Sequence, residues 1–258
     1  MQRKRSDGRH STSGRLENDE ETLVYGIHAA EAALRNPRRV IRRLLLTENA
    51  EHRLTAALEN RRGSIERVLP RDLDRRLGPD TVHQGALLET EALPDVSLAE
   101  LAERSGAGPV LALDQVTDPH NVGAVLRSAA VFGAAGLVLT RRNSPPLSGA
   151  LAKSASGALE IVPVALVTNL SRALDELGTQ GLMRIGLDGE GPEMLEDQRL
   201  TGGVVLVLGA EGKGLRQLTR QTCDRLCRIA TEGPISSLNV SNAAAVALHL
   251  CAMQRRRG

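Results

Sequence analysis

The residues of this chain best placed to do chemistry fall in three short segments. The first is Thr117-Asp118-Pro119-His120-Asn121-Val122-Gly123, which runs on to Arg127. The second is Gly209-Ala210-Glu211-Gly212-Lys213-Gly214-Leu215, and the third is Ile235-Ser236-Ser237-Leu238-Asn239-Val240-Ser241. Three glycines in six residues let the second segment turn sharply and approach a ligand closely, and the carboxylate of Glu211 sits at the centre of that turn. Ser236, Ser237 and Asn239 fall at or near a helix start, where short polar side chains meet free N–H groups. Arg127 stands among alanines and valines. If it faces inward it must find a carboxylate, a phosphate or a carbonyl, because an unpaired buried charge is very costly, and Glu211 is the candidate partner. Otherwise it points to solvent. Asn121 and Arg127 are six residues apart, about 600° of helix, so they share no face if both are in regular helix. Taken singly, a glycine turn is only a turn and Ser or Asn before a helix is only a cap. The combination is what indicates a ligand crevice.

These segments need a sheet to position them. Val204 to Leu208 reads as a strand buried on both faces, and it feeds directly into the glycine turn. Leu226 to Ile229 reads as a second short strand, and the chain becomes Ala-rich and helical from Asn242. Loops at the strand ends of one sheet then face a common crevice, the place where open α/β sheets hold ligands. Further strands are expected at Val110 to Leu113, Leu137 to Thr140, Glu160 to Val164 and Met183 to Leu187. Helices are expected from Asn121, over Leu147 to Ser156 and over Asn169 to Leu177. The alternation predicts a mainly parallel, doubly wound sheet.

The first half carries a smaller α/β unit of about 70 residues. Its strands are expected at Leu23 to Gly26, Val40 to Leu46, Ile65 to Leu69 and Ala86 to Thr90. Its helices are expected at Ile27 to Arg35, Ala50 to Arg61 and Arg71 to Leu77. Arginines are dense there, and clusters of them at loop ends can grip a phosphate backbone, although such runs also serve as solvated faces. The division expected is a disordered tail over 1–21, a small domain over 22–91, a linker over 92–108 with a helical turn or two at Ser97 to Arg104, and a large domain over 109–258.

Composition excludes several classes. Tyr25 and Phe132 are the only aromatics, so the core is aliphatic and base stacking on aromatic platforms is largely unavailable. Lys4, Lys153 and Lys213 are the only lysines in a chain of net charge +2. Arginine's fork suits phosphate oxygens and base edges, though the same bias can follow from genome composition. Cys223, Cys227 and Cys251 form no CxxC pair and are odd in number, which argues against a disulfide scaffold and for a reducing cytoplasm. No apolar run approaches the roughly 18 residues of a membrane span. No GxGxxG follows an early strand, and the GKG at 212–214 lacks the Ser or Thr of a P-loop. His28, His52, His83, His120 and His249 are scattered, without metal spacing.

In order and spacing, the three segments resemble the motifs of the SpoU branch of the SPOUT superfamily, the S-adenosylmethionine-dependent RNA ribose 2′-O-methyltransferases. Tyr25-Gly26-Ile27-His28-Ala29 and Val82-His83-Gln84-Gly85 resemble the start and finish of the substrate-binding domain of its large-subunit (23S) rRNA guanosine methyltransferases. The likeness runs from about residue 23 to 255. It implies a catalytic domain with a deep trefoil knot, which topology rules alone would have rejected, and a small N-terminal α/β RNA-binding domain. It also implies S-adenosyl-L-methionine as cofactor, bound at Gly209, Ile229 and Leu238, and a homodimer with no metal and no membrane. Its matching catalytic positions are Asn121, Arg127, Glu211, Ser236 and Asn239, and it assigns the counterpart of Arg127 the activating role; on chemical grounds Arg127 is expected instead to orient the substrate phosphate and stabilise the developing alkoxide, and Glu211 to fix Arg127 or the dimer contact. A tRNA ribose methyltransferase of the same branch would use identical motifs but commonly lacks the small domain. A non-catalytic RNA-binding relative and a small-molecule α/β enzyme are the remaining alternatives.

Overall fold

Short aliphatic runs flanked by turn residues can be covered on both faces only where helices alternate with them, and the chain folds into two sheets on that principle. The structure is a computed structural model and describes residues 22–59, 64–233 and 237–257. The first unit contains β1 (Thr22–Tyr25), α1 (Ile27–Arg35), β2 (Ile41–Leu46), α2 (Glu48–Leu58), β3 (Glu66–Arg67), α3 (Pro70–Leu77) and β4 (Ala86–Thr90). Its sheet order is β1-β4-β2-β3, antiparallel except where β2 meets β3. The Thr47 side chain caps α2, and Pro70 opens α3 at a position where a missing N–H costs nothing.

After α4 (Leu98–Arg104) come β5 (Val110–Asp114), α5 (Pro119–Phe132), β6 (Gly136–Thr140), α6 (Gly149–Ala155), a 3-10 turn at Ala158–Glu160 and β7 (Val164–Val167). Then follow α7 (Leu170–Thr179), β8 (Met183–Leu187), β9 (Glu193–Met194), β10 (Val204–Gly209), α8 (Gln217–Thr222), β11 (Arg225–Arg228) and α9 (Val240–Arg257). The seven strands form one sheet in the order β7-β6-β5-β10-β8-β11-β9, parallel at every pairing. Side chains alternate across it with the period of two that strands impose. Leu111, Leu113, Leu206 and Leu208 pack on one face with Val122 and Leu126 of α5 and Leu248 of α9. Val110, Ala112, Val205 and Val207 pack on the other with Leu101 of α4 and Leu174 and Leu177 of α7. Because β10 lies between β5 and β8, the loops leaving β8, β10 and β11 emerge side by side.

The small unit shares the first of these cores, since Ala30, Ala33 and Leu54 belong to the same buried cluster as Leu151 and Ala155 of α6. A buried ion pair adds to the contact. Arg39 and Glu160, with side chains 1% and 4% exposed, meet at 2.5 Å, and Asn36 Nδ2 donates to the other Glu160 oxygen at 2.7 Å.

Three expectations need correction. Glu160 to Val164 is not a strand: Gly157 at φ +93 starts a 3-10 turn, Glu160 is committed to Arg39 and Asn36, and the strand begins only after Pro163. The short elements β9 and α8 were not anticipated, being too brief to show periodicity. The arginine-rich face of the small unit is also less free than its composition indicates. Arg35, Arg39, Arg42, Arg43, Arg67, Arg75 and Arg76 are all ion-paired within the chain, Arg43 and Arg76 converging on the buried Glu89. The expected tail over 1–21, together with Arg61 and Arg62, lies outside the described residues.

Candidate active site

The glycine turn after β10 is closed by Gly214 N–H donating to the Ala210 carbonyl at 2.8 Å. Gly212 and Gly214 take φ +72 and +63 there, a conformation that L side chains rarely adopt. Gly209 is required for a different reason: a Cβ on it would lie 2.1 Å from the Gly214 carbonyl carbon. The turn is thereby folded back on the strand end, and Glu211 projects from its tip.

The third segment meets it from the other side. Asn239 caps α9, its Oδ1 accepting from the Ser241 N–H at 2.9 Å and the Ser241 hydroxyl at 2.6 Å. The helix therefore starts at Val240, two residues before the position expected. The Asn239 amide is used as well: Nδ2 donates to Asn121 Oδ1 at 3.1 Å and also to Glu211 Oε1. Asn121 Nδ2 donates to the same Glu211 oxygen at 3.0 Å, which closes a three-residue ring of hydrogen bonds. Three segments separated by up to 118 positions thus touch one another through polar side chains.

Beneath this ring lies a cleft of about 240 Å³. Gly209, Ile229 and Leu238 all line it, with Leu187, Leu208, Val240 and Ala243 as further apolar wall. Sequence reasoning missed the loop after β8, where Leu187, Asp188 and Gly189 line the cleft. The signal was available, because that loop leaves the carboxyl end of a strand adjoining β10. Asp188 is held in place by Arg220 of α8 and accepts from the Glu190 N–H at 2.9 Å. Cys227 also faces the cleft, and burial pushes its thiol up to about 11, so it stays protonated and is no nucleophile near neutral pH.

Arg127 does not join the ring. Both it and Asn121 lie within regular α5, and the angular separation computed from their spacing turns Arg127 to the exposed side of the helix. The expected pairing with Glu211 is absent: Arg127 makes no hydrogen bond or ion pair among the described residues, and Glu211 is bonded to the two asparagines. The inward position fails because Val122, Val125 and Leu126 occupy that face. Ser236 lies outside the described residues. Among the described residues no group of three or more His, Cys, Asp or Glu could hold a metal ion, and no helix is long and apolar enough to cross a membrane.

The cleft's chemistry fits S-adenosyl-L-methionine. Its aliphatic walls suit a purine face, backbone groups at Gly209 and Gly189 offer polar edges, and the carboxylates of Asp188 and Glu211 complement hydroxyls and positive charge.

Known proteins carry the same plan. The model of the SpoU rRNA methylase family matches residues 108–249, and that of RNA 2′-O ribose methyltransferase substrate binding matches residues 23–96. The chain is 39% identical over 244 residues to the 23S rRNA (guanosine-2′-O-)-methyltransferase RlmB of Pseudomonas putida, a match covering 90% of this chain and 96% of that one. Against the RlmB of Pseudomonas aeruginosa it is 41% identical over 240 residues, covering 90% and 96%. Its fold matches the solved structure of the SpoU methyltransferase AviRb from Streptomyces viridochromogenes in complex with the cofactor AdoMet, at TM-score 0.78 and 25% identity over 92% of each chain. With its larger part matched by that family model over residues 108–249 and relatives of 39–41% identity covered over nearly their whole length, the chain belongs to the SpoU rRNA methylase family.

Proposed function

We propose that this protein transfers a methyl group from S-adenosyl-L-methionine to the ribose 2′-hydroxyl of a guanosine in 23S rRNA. The observation that carries the reading is the ring of Asn121, Glu211 and Asn239 on the rim of the Gly209–Leu238 cleft. A donor site and a rack of polar groups for a second substrate lie side by side there. Relatives of 39–41% identity named for this reaction, and a small domain matching a substrate-binding model, support the choice of RNA.

Gly209, Ile229 and Leu238 would hold the cofactor, with Asp188 and the Thr231 hydroxyl within the same wall. When bound, the cofactor supplies an electrophilic methyl on a sulfonium. Asn121 and Asn239, locked by Glu211, position the nucleotide, and most of the rate arises from that alignment. Ser236 is assigned to the same task. The part of Arg127 is to hold the substrate phosphate and stabilise the alkoxide as the hydroxyl loses its proton.

Arg127 stands exposed on α5, one turn before Val131, which is 77% exposed, and α9 beside it exposes Val246. An exposed valine one turn from a guanidinium that has no ion pair among the described residues supports a homodimer that covers this face and brings Arg127 to an active site at the subunit contact. The remaining features of the reading are the divisions 22–91, 92–108 and 109–258, a tail over 1–21, a trefoil knot around the cleft and a cytoplasmic location. The parallel sheet with its late central strand supports the knot, and three free cysteines support the location.

The test is to map 2′-O-methyl groups on rRNA from cells with and without the protein, and to repeat the transfer with purified protein, labelled cofactor and unmodified 23S rRNA. A single guanosine that loses its methyl without the protein and regains it in vitro is expected. No change at any ribose would end the reading.

A further inference from the structure

The eight residues Lys153 to Glu160 touch the small unit on one side and the first turn of α5 on the other. Toward the small unit, Lys153 Nζ donates to the Val82 carbonyl at 2.7 Å and to Gln84 Oε1 at 2.9 Å. Gln84 holds φ +55 and its Oε1 also accepts from the Ile27 N–H at 3.2 Å. Gly26, at φ +92, leaves the space the lysine needs, since a Cβ there would lie 2.7 Å from Lys153 Cδ. Four residues on, a Cβ at Gly157 would lie 2.7 Å from Ala32 Cβ of α1. Glu160 then closes on Arg39 and Asn36.

Toward the site, Ser154 Oγ donates to the His120 carbonyl at 3.2 Å, and a Cβ on Gly123 would lie 2.5 Å from Ser154 Cβ. His120 and Gly123 flank Asn121 in α5. The path from the small unit to the hydrogen-bonded ring is therefore short, closely packed and polar at both ends. Burial pushes the Lys153 ammonium down from its ordinary range, and its two oxygen acceptors lie at 2.7 and 2.9 Å. An apolar contact alone would tolerate sliding. Directional bonds fix one bearing.

We propose that Lys153 and Glu160 are positioning residues that set the bearing of the small domain on the catalytic cleft, and so select which nucleotide of a gripped RNA reaches Asn121. The proposal rests on the function proposed above and adds the device that measures out the target.

The test uses the full-length protein. Lys153→Met keeps the aliphatic stem and removes the two bonds. For the buried pair, the double substitution Arg39→Met with Glu160→Leu avoids stranding one charge, which alone would unfold many proteins. Both are expected to spread methylation from one nucleotide to its neighbours and to raise KM for 23S rRNA at least about tenfold, the order that even one lost charge-assisted hydrogen bond would give. Cofactor affinity, read by titration, should stay within about twofold, a split that general loosening of the fold would not give. If Lys153→Met fails to fold, Gln84→Gly removes one of the two Lys153 acceptors at a φ glycine accepts, and should shift the site and KM in the same direction. Methylation of the same single nucleotide with KM within about twofold of wild type overturns the proposal. Should the wild-type protein methylate no rRNA, the functional reading is what fails. Small-angle scattering then decides the joint: a larger radius for the variants supports it, and curves identical to wild type refute it.

Discussion

Gly209→Ala adds one methyl group where the glycine turn folds back on the end of β10. The added Cβ would stand 2.1 Å from the Gly214 carbonyl carbon, 2.3 Å from its oxygen and 2.4 Å from the Leu215 nitrogen, all of them backbone atoms that no rotamer change can move. Ordinary contact requires the turn to retreat by roughly 1.3 Å or more. A shift of that size stretches the Ala210–Gly214 bond, 2.8 Å as it stands, and carries Glu211 beyond hydrogen-bond reach of Asn121, from which it is 3.0 Å. Overpacking of this kind costs on the order of 1 to 3 kcal/mol. Since the displaced atoms line the cleft, most of that cost should fall on ligand affinity, which at 1.4 kcal/mol per decade weakens S-adenosyl-L-methionine binding roughly tenfold to a hundredfold. Calorimetric titration measures the affinity, and a thermal melt separates it from global instability. The control is Gly212→Ala, where a Cβ meets nothing within 4 Å and only the φ of +72 is strained. It should lower the melting temperature with a much smaller effect on affinity. Equal cofactor affinity for Gly209→Ala and wild type would refute the placement of the cofactor against this turn.

Further outcomes follow from the same geometry. Arg127→Ala should abolish methyl transfer and leave cofactor binding intact, and retained turnover in a labelled-methyl assay would remove Arg127 from the mechanism. Asn239→Asp keeps the cap on Ser241 but sets a second carboxylate against Glu211, so turnover should drop by roughly tenfold or more while the melt moves little; Asn239→Ala should lose the cap as well, at about 1 kcal/mol. The Arg184 guanidinium beside Asp224 holds that carboxyl below its ordinary 3.8. Its stabilising contribution is therefore complete above the unfolded value and drains away as pH falls through the folded one, so Asp224→Asn should flatten the acid limb of a melting-temperature profile below about pH 4 and be felt as a loss at neutral pH. Burial pushes the Cys227 and Cys251 thiols up to about 11, so iodoacetamide at about pH 8 should modify neither until the protein is unfolded. Peptide mapping checks this.

The sequence disclosed more about the cleft than about its rim. Val204 to Leu208 is so uniformly apolar that a doubly covered strand accommodates it best, and the glycine turn after it could be set facing the third segment across one crevice without coordinates, while the choice of Gly209 and Leu238 as its lining came from the family resemblance. The Arg127 to Glu211 pairing failed because it was argued from the cost of burying a charge, while α5 turns Arg127 outward and the cost never arises. Asn239 was seen as either a cap or a nucleotide-positioning group, and its two ends serve separately, Oδ1 as the cap and Nδ2 in the ring. Charge counts misled for the small unit, because Glu51, Glu66, Glu89 and Glu91 return beside the arginines only once the strands are paired. The joint through Lys153 was invisible for the same reason, since 69 positions separate the lysine from Gln84. Local patterns carry periodicity and turn chemistry. They carry nothing about which distant polar groups will meet.

The place of β10 in the sheet bears on how the protein is made. It is the sixth of seven strands of that sheet to leave the ribosome, yet β5 and β8 reach each other only through it. A nascent chain that stops short of Val204 has β7-β6-β5 joined but β8 and β9 each without a ladder to them or to one another, and no floor for a cleft. Cofactor-binding competence should therefore arrive in one late step, after nearly all of the polypeptide has emerged, and partial translation products should carry none of it.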